Sequence, residues 1–175
     1  MRSTSETGYD RLADHYRFFE TLMFGQNLAH ARTALLGSIP SCDSALVLGD
    51  GDGRLLEALL SSQPECQITS VDQSQRMLEI QQQRLSNHPL RKNIIWRQQD
   101  ARNLTKFANE FDLLVSAFFL DCFTTHDLET HLPHWLNTLR PGGLFYVVDF
   151  EEPKAGWKRI RGKICLTAMH HFFRW

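Results

Sequence analysis

The sequence predicts an α/β fold whose mainly parallel sheet is open and doubly wound, with helices on both faces. Three observations predict it. From residue 45 onward, short apolar runs alternate with segments of helical period. The runs are nearly continuous in apolar character, as strands buried on both faces must be. The first run enters the following helix through Gly49-Asp50-Gly51-Asp52-Gly53, a turn with glycine at alternate positions.

Each element follows in order. Tyr9, Leu12, Ala13, Tyr16, Phe19, Leu22 and Met23 recur at helical spacing, which predicts an amphipathic helix interrupted at Phe24-Gly25. Leu28, Ala31, Leu35 and Ile39 predict a second helix, ended by Pro40. Strands are predicted at 45–48, 68–71, 94–96, 113–115 and 144–148, with helices at 54–61, 74–86 and 125–139. Thr124 and Asp127 have the spacing of a capping box opening the last helix. Pro141-Gly142-Gly143 is expected to stop that helix and turn the chain into the fifth strand. Right-handed crossovers then place all strand C-termini on one edge, where ligands bind in such sheets. The length of 175 residues fits one domain, 1–175, with N-terminal helices over 1–40, a ligand-binding core over 44–150 and a C-terminal helix over 154–175.

Bulk properties exclude several classes. A hydrophobic fraction of 42% supports a packed core, and a formal charge of -1 gives no general pull toward nucleic acid, so no nucleic-acid partner is expected. Cys42, Cys66, Cys122 and Cys165 form no CxxC pair and stand near no metal-spaced histidine, so neither a disulfide framework nor a metal site is expected. The N-terminus lacks an apolar signal region, and no apolar run approaches the roughly 18–20 residues that cross a bilayer. A reduced, cytoplasmic setting is the expectation.

The glycine turn carries the chemistry. Glycine permits positive φ and removes the Cβ, so a ligand can lie against bare backbone beside the unpaired N–H groups of a helix start. A glycine-rich turn without a ligand is the plain alternative. The second run ends in Asp72, and an acid at that strand tip can accept both hydroxyls of a ribose. Its alternative is a cap for the next helix, since Ser74 follows at once. A dinucleotide fingerprint does not fit, because the third residue after Gly51 is Arg54.

These segments resemble class I S-adenosylmethionine-dependent methyltransferases. Gly49 to Gly53 is similar to their motif I, and Asp72-Gln73-Ser74 with Met77-Leu78 to their D-x-S-x-x-M-L stretch. Asp100-Ala101 resembles the pair that meets adenine, and Leu139-Arg140-Pro141-Gly142-Gly143-Leu144 the L-x-P-G-G-x signature before the fifth strand. Tyr9-Asp10-Arg11-Leu12-Ala13, Tyr16 and Phe24-Gly25 further resemble the opening of ubiquinone/menaquinone and other small-molecule methyltransferases. The resemblance implies a Rossmann-like fold and S-adenosyl-L-methionine as cofactor. It would be held by Gly49, Asp50, Gly51, Gly53, Asp72, Gln73, Met77, Asp100, Ala101, Ser116 and Tyr16.

Two departures bear on activity. The family often has an acid two positions before the first glycine, where this chain has Val47; Asp50 and Asp52 either supply that charge or point to solvent. The family sheet also ends in a β-hairpin, and after the fifth strand this chain offers only the basic, aromatic stretch 157–175, so the hairpin is expected to be missing and a sheet edge exposed. Two readings follow: an active methyltransferase for a small-molecule oxygen or carbon acceptor, or a cofactor-binding pseudoenzyme or truncated subunit acting through a partner.

Methyl transfer needs placement and water exclusion, with a general base only for acceptors that must lose a proton. The fourth strand runs into Ser116-Ala117-Phe118-Phe119-Leu120-Asp121-Cys122-Phe123, where by resemblance cofactor and acceptor meet. It lacks the Asn/Asp-Pro-Pro-Tyr/Phe signature of base and glutamine N-methyltransferases. Phe118, Phe119 and Phe123 either wall an acceptor pocket or pack the next helix, the second being the reading for at least two of them. Asp121 is the candidate catalytic residue, as a base or to orient the acceptor, with a loop cap as its alternative. His15, His126, His131 and His134 read first as surface or packing residues. The basic C-terminal stretch suits either peripheral membrane contact or ordinary packing on the sheet, and a homodimer stays open.

Overall fold

The computed structural model describes residues 27–150 other than 105. Helix α1 (Asn27–Thr33) leads through a 3-10 turn (Leu36–Ser38) to strand β1 (Ser44–Leu48). Then come α2 (Arg54–Ser62), β2 (Gln67–Asp72), α3 (Gln75–Arg84), β3 (Ile94–Gln98), β4 (Phe111–Ala117), α4 (Thr125–Leu136) and β5 (Leu139–Val148). The five strands pair in parallel in the order β3-β2-β1-β4-β5. The chain starts mid-sheet, builds outward to β3, then crosses back to β4. That reversal leaves a crevice between the C-terminal ends of β1 and β4.

Burial on both faces explains the unbroken apolar runs of β1, β2 and β4, whereas the outer strands β3 and β5 leave Ile95, Leu144 and Val147 exposed, contrary to the expectation for their runs. Ala45 and Val47 of β1 pack with Leu55, Leu56, Leu59 and Leu60 of α2 in one cluster. Leu46 and Leu48 turn the other way, into a cluster with Leu114 of β4 and Trp135 of α4. With period 2 along the strand and helices on each face, neither set of side chains meets water.

Helices α1, α3 and α4 and strand β5 differ from the sequence reading. Helix α1 stops at Thr33, and the tighter 3-10 turn shifts the phase, so Leu36 and Ile39 are buried while Leu35 is 59% exposed. Arg32 goes inside with them, and Tyr146 Oη of β5 donates to its carbonyl at 3.0 Å, tying α1 to the sheet. The 125–139 helix ends at Leu136, and Pro141-Gly142-Gly143 lies inside β5 instead of before it. There the register against β4 shifts between Phe111 and Leu113, and Gly142 takes φ 84. Proline is tolerated because β5 is the last strand of the described sheet. Ser74 caps α3 and does not begin it: its Oγ accepts the Met77 N–H at 3.1 Å.

The capping box is present, with the Asp127 N–H donating to Thr124 Oγ1 and the Thr124 N–H to Asp127 Oδ2, each at 3.1 Å. The helix expected at Tyr9 to Met23, the basic stretch 154–175 and the question of the hairpin lie outside the described residues.

Candidate functional site

The loop leaving β1 is fixed by its glycines. Gly49, Gly51 and Gly53 adopt φ 61, 69 and 86, a region L side chains avoid. The Gly49 N–H donates to Val71 O at 2.9 Å and carries the β1–β2 ladder one residue further, which sets the loop beside Asp72. A Cβ on Gly49 would lie 2.2 Å from Phe119 Cδ2, so only glycine admits the aromatic ring that leaves β4. Helix α3 holds the loop from behind. Gln81 Nε2 donates to Gly51 O at 3.0 Å, and Arg84 Nε to Asp52 O at 2.6 Å. Gln81 is itself fixed by the Ser70 hydroxyl at 2.9 Å.

Neither loop acid points to solvent. Gly53 offers α2 no side-chain cap, and Asp50 takes that role, accepting the Leu55 and Leu56 N–H groups at 3.2 and 3.0 Å. Asp50 is 4% exposed, and burial pushes its carboxyl up to about 7, against the opposing pull of Arg32 and of those two N–H groups. Asp52 is also buried and accepts from Arg54 Nε and Arg84 Nη2, both at 2.9 Å. Both carboxylates therefore shape the loop.

The neighbouring strands bring their own groups to the same edge. Half-buried Asp72 ends β2, and its Oδ1 accepts the Ser74 N–H at 2.9 Å; the cap of α3 is Ser74, not Asp72. Gln73 is half-buried, its carbonyl accepting from Gln98 Nε2 at 3.4 Å, and Met77 is buried in the first turn of α3. Beyond β3, Asp100 opens a 3-10 turn (Ala101–Asn103) and accepts both the Arg102 N–H and its guanidinium. Burial alone would raise the Asp100 carboxyl, but those bonds hold it below its ordinary value. Ala101 is buried, and its carbonyl accepts Trp135 Nε1 at 2.8 Å. Ser116, opposite Leu48 in the β4–β1 register, is 1% exposed, and its Oγ has no hydrogen-bond partner among the described residues.

The β4 exit is aromatic and strained. Phe118 sits at φ 54 with its N–H donating to Val148 O at 2.7 Å, and its ring lies under the Arg32 guanidinium at 5.5 Å. Phe119 and Phe123 pack on Trp135 at 5.9 and 5.2 Å, so these two are packing for α4, as the second reading had it. Asp121 lies in a 3-10 turn (Leu120–Cys122), half-buried. Asp149, one residue past β5, accepts the Leu120 N–H at 3.1 Å, and burial raises its carboxyl. His126 and His134 are exposed, and His131 stacks on Trp135 at 6.3 Å. Tyr16 and His15 lie outside the described residues. Among the described residues no group of three or more His, Cys, Asp or Glu could hold a metal ion, and no helix is long and apolar enough to cross a membrane.

The sequence reading did not single out Arg32, Asp149 or Trp135. Asp149 carried the same strand-tip signal as Asp72, and Trp135 shares a helical stripe with Leu128 and Leu132. Arg32 stands four residues after Leu28, on the helix face that the periodicity assigned to the core, but a charged side chain there gave no sign of being buried.

A positive-φ glycine loop, a carboxylate at the next strand tip, a second acid beyond β3 and a buried serine hydroxyl at β4 form a set that suits an adenosyl group. Comparison with known proteins bears on the family and the fold. A family model described as a methyltransferase domain matches residues 45–143. The demethylmenaquinone methyltransferase of Desulfitobacterium hafniense is 33% identical over 98 residues, 56% of this chain and 38% of that protein. That of Thermotoga maritima is 28% identical over 158 residues, 89% of this chain and 65% of that protein. The chain thus spans less than two thirds of the length of either relative.

In fold, the chain is similar to phosphoethanolamine N-methyltransferase 1 of Haemonchus contortus, solved with phosphoethanolamine and S-adenosylhomocysteine. The TM-score is 0.69 at 22% identity, covering 89% of this chain and 34% of that one. With its glycine loop, strand-tip acid and parallel sheet matched by a model over more than half its length, the chain belongs to the methyltransferase domain family, of the class I, S-adenosylmethionine-dependent kind.

Proposed function

We propose that the chain binds S-adenosylmethionine along the C-terminal edge of β1, β2 and β4 and transfers its methyl group to an oxygen or carbon of a small-molecule acceptor. The observation that carries this is the Gly49 N–H to Val71 O bond of 2.9 Å, which sets the positive-φ glycine loop directly beside Asp72. Gly51 offers backbone without a Cβ for close approach, while the same space at Gly49 is taken by the Phe119 ring. Asp72 offers a carboxylate to the ribose hydroxyls, and Asp100 and Ala101 border the adenine side. Asp50 serves by holding the loop on α2. Ser116 offers its buried hydroxyl from β4.

When bound, the cofactor supplies a methyl group already activated on sulfonium, so the protein has to orient the acceptor and exclude water. Phe119 and Phe123, packed on Trp135, fix the chain where β4 ends and so hold the ground on which an acceptor would be oriented. Asp121 is the candidate base for a hydroxyl acceptor, and Asp149 positions it by fixing the turn at Leu120. Two relatives named as demethylmenaquinone methyltransferases support an acceptor of quinone character.

Calorimetric titration with S-adenosylhomocysteine tests the reading. Wild type should bind, and Asp72→Ala should weaken binding by roughly 1–3 kcal/mol, the scale of hydrogen bonds to a charged group. Equal affinity in both proteins would remove Asp72 from the ribose. Binding without methyl transfer to quinol or phenol acceptors would favour the alternative, a cofactor-binding subunit that acts through a partner.

A further inference from the structure

At the sheet edge opposite the glycine loop, two cysteines 24 residues apart in the chain meet with their sulfurs 3.3 Å apart. Cys42 stands two residues before β1 and Cys66 one residue before β2. Both are free thiols, both are buried, and both belong to the apolar cluster under α2. One residue builds their approach. The Gln63 side chain accepts the Cys42 N–H at 3.3 Å and donates to Ile39 O and Pro40 O at 3.2 and 3.3 Å, while its backbone carbonyl accepts the Cys66 N–H at 3.1 Å. The two backbones are therefore held in register before any bond forms, and the sulfurs need to close by only about an ångström to reach disulfide distance.

We propose that Cys42 and Cys66 are a redox-active pair that an oxidant of the hydroperoxide class converts to an intramolecular disulfide, stapling the segment that carries β1, the glycine loop and α2. The roles of the two sulfurs differ. Their hydrogen bond lowers the Cys42 thiol against the effect of burial, and it raises that of Cys66, where burial adds to the rise. Cys42 is also the less deeply buried, at 7% exposure against 0%. Hydrogen peroxide meets the Cys42 thiolate first, its O–O bond breaks, and Cys42 becomes a sulfenic acid as hydroxide leaves. Cys66 then attacks the Cys42 sulfur; the S–O bond breaks, and the hydroxyl departs as water with the Cys66 proton. Over the whole step two thiols are oxidised to one disulfide, and one peroxide is reduced to two waters.

The test uses the full chain with Cys122→Ser and Cys165→Ser, so that only this pair can react, and peptide mapping of wild type as a second route. Under native conditions with hydrogen peroxide, intact mass should fall by two hydrogens. Non-reducing digestion should give one peptide linking Cys42 to Cys66, and Tm should rise by roughly 5 °C or more and return on adding dithiothreitol. Further substitution of Cys42→Ser should abolish both the mass loss and the Tm shift. Oxygen additions without a cross-link, or a cross-link formed only in denaturant, would overturn the proposal.

Discussion

Replacing Asp50 by asparagine isolates the electrostatics of the glycine loop. The native carboxyl is pushed up from 3.8 to about 7 by burial, while in the unfolded chain it titrates near its ordinary value. Between those two values the folded protein holds a proton that the unfolded one has released, so stability falls as pH rises. The contribution is whole below 3.8 and gone above 7, a window worth about 4 kcal/mol at ~1.4 kcal/mol per pH unit. Asparagine does not titrate. It accepts one of the Leu55 and Leu56 N–H groups and leaves the other, a pH-independent loss of roughly 1 kcal/mol. The two proteins should therefore be nearly equal in urea denaturation at acid pH, about 5. By pH 8, Asp50→Asn should be the more stable by roughly 2–3 kcal/mol, a Tm gap on the order of 5–10 °C. A stability difference that stays flat across that range would refute the reasoning. It would mean that Asp50 is ionised throughout, and that the helix N–H groups and Arg32 outweigh its burial.

Gly49→Ala must place a side chain at φ 61, costing ~1–2 kcal/mol, and push the Phe119 ring away from its packing on Trp135. Tm should fall by several degrees; adding Phe119→Ala should remove the clash but not the backbone cost, and a variant as stable as wild type would show that the loop is built otherwise. Ser116→Ala removes a buried hydroxyl that has no hydrogen-bond partner among the described residues, so unfolding free energy should hold or rise by up to about 1 kcal/mol, while affinity for S-adenosylhomocysteine falls. A stability loss above that size would mean that the hydroxyl is satisfied within the fold.

What could be read from the sequence was what backbone demands dictate. Residues buried on both faces of a parallel strand must be apolar throughout, so β1, β2 and β4 were visible as runs; β3 and β5 showed runs too, but as outer strands they leave several of those residues exposed. A loop with three positive φ angles must be glycine at those positions, and Gly49, Gly51 and Gly53 gave it away. Side-chain charge compensation has no such local code. The family's acid before motif I is Val47 here, and the fold shows the consequence: that side chain packs among the leucines of α2, where a carboxylate would be stranded. The acid that the loop does use, Asp50, finds its partners five and six residues ahead in helix N–H groups, with Arg32 acting on it from α1. Arg32 was hidden because a charged residue on an apolar helix face carries no sign of its burial, and the left-handed backbone of Phe118 because it goes with a bond to Val148 across the sheet. Each of these depends on a contact between segments that only the tertiary fold brings together. The polar parts of this site are therefore products of topology: the glycine loop can keep its shape without the usual strand acid because burial, a helix start and an arginine from another element converge on Asp50.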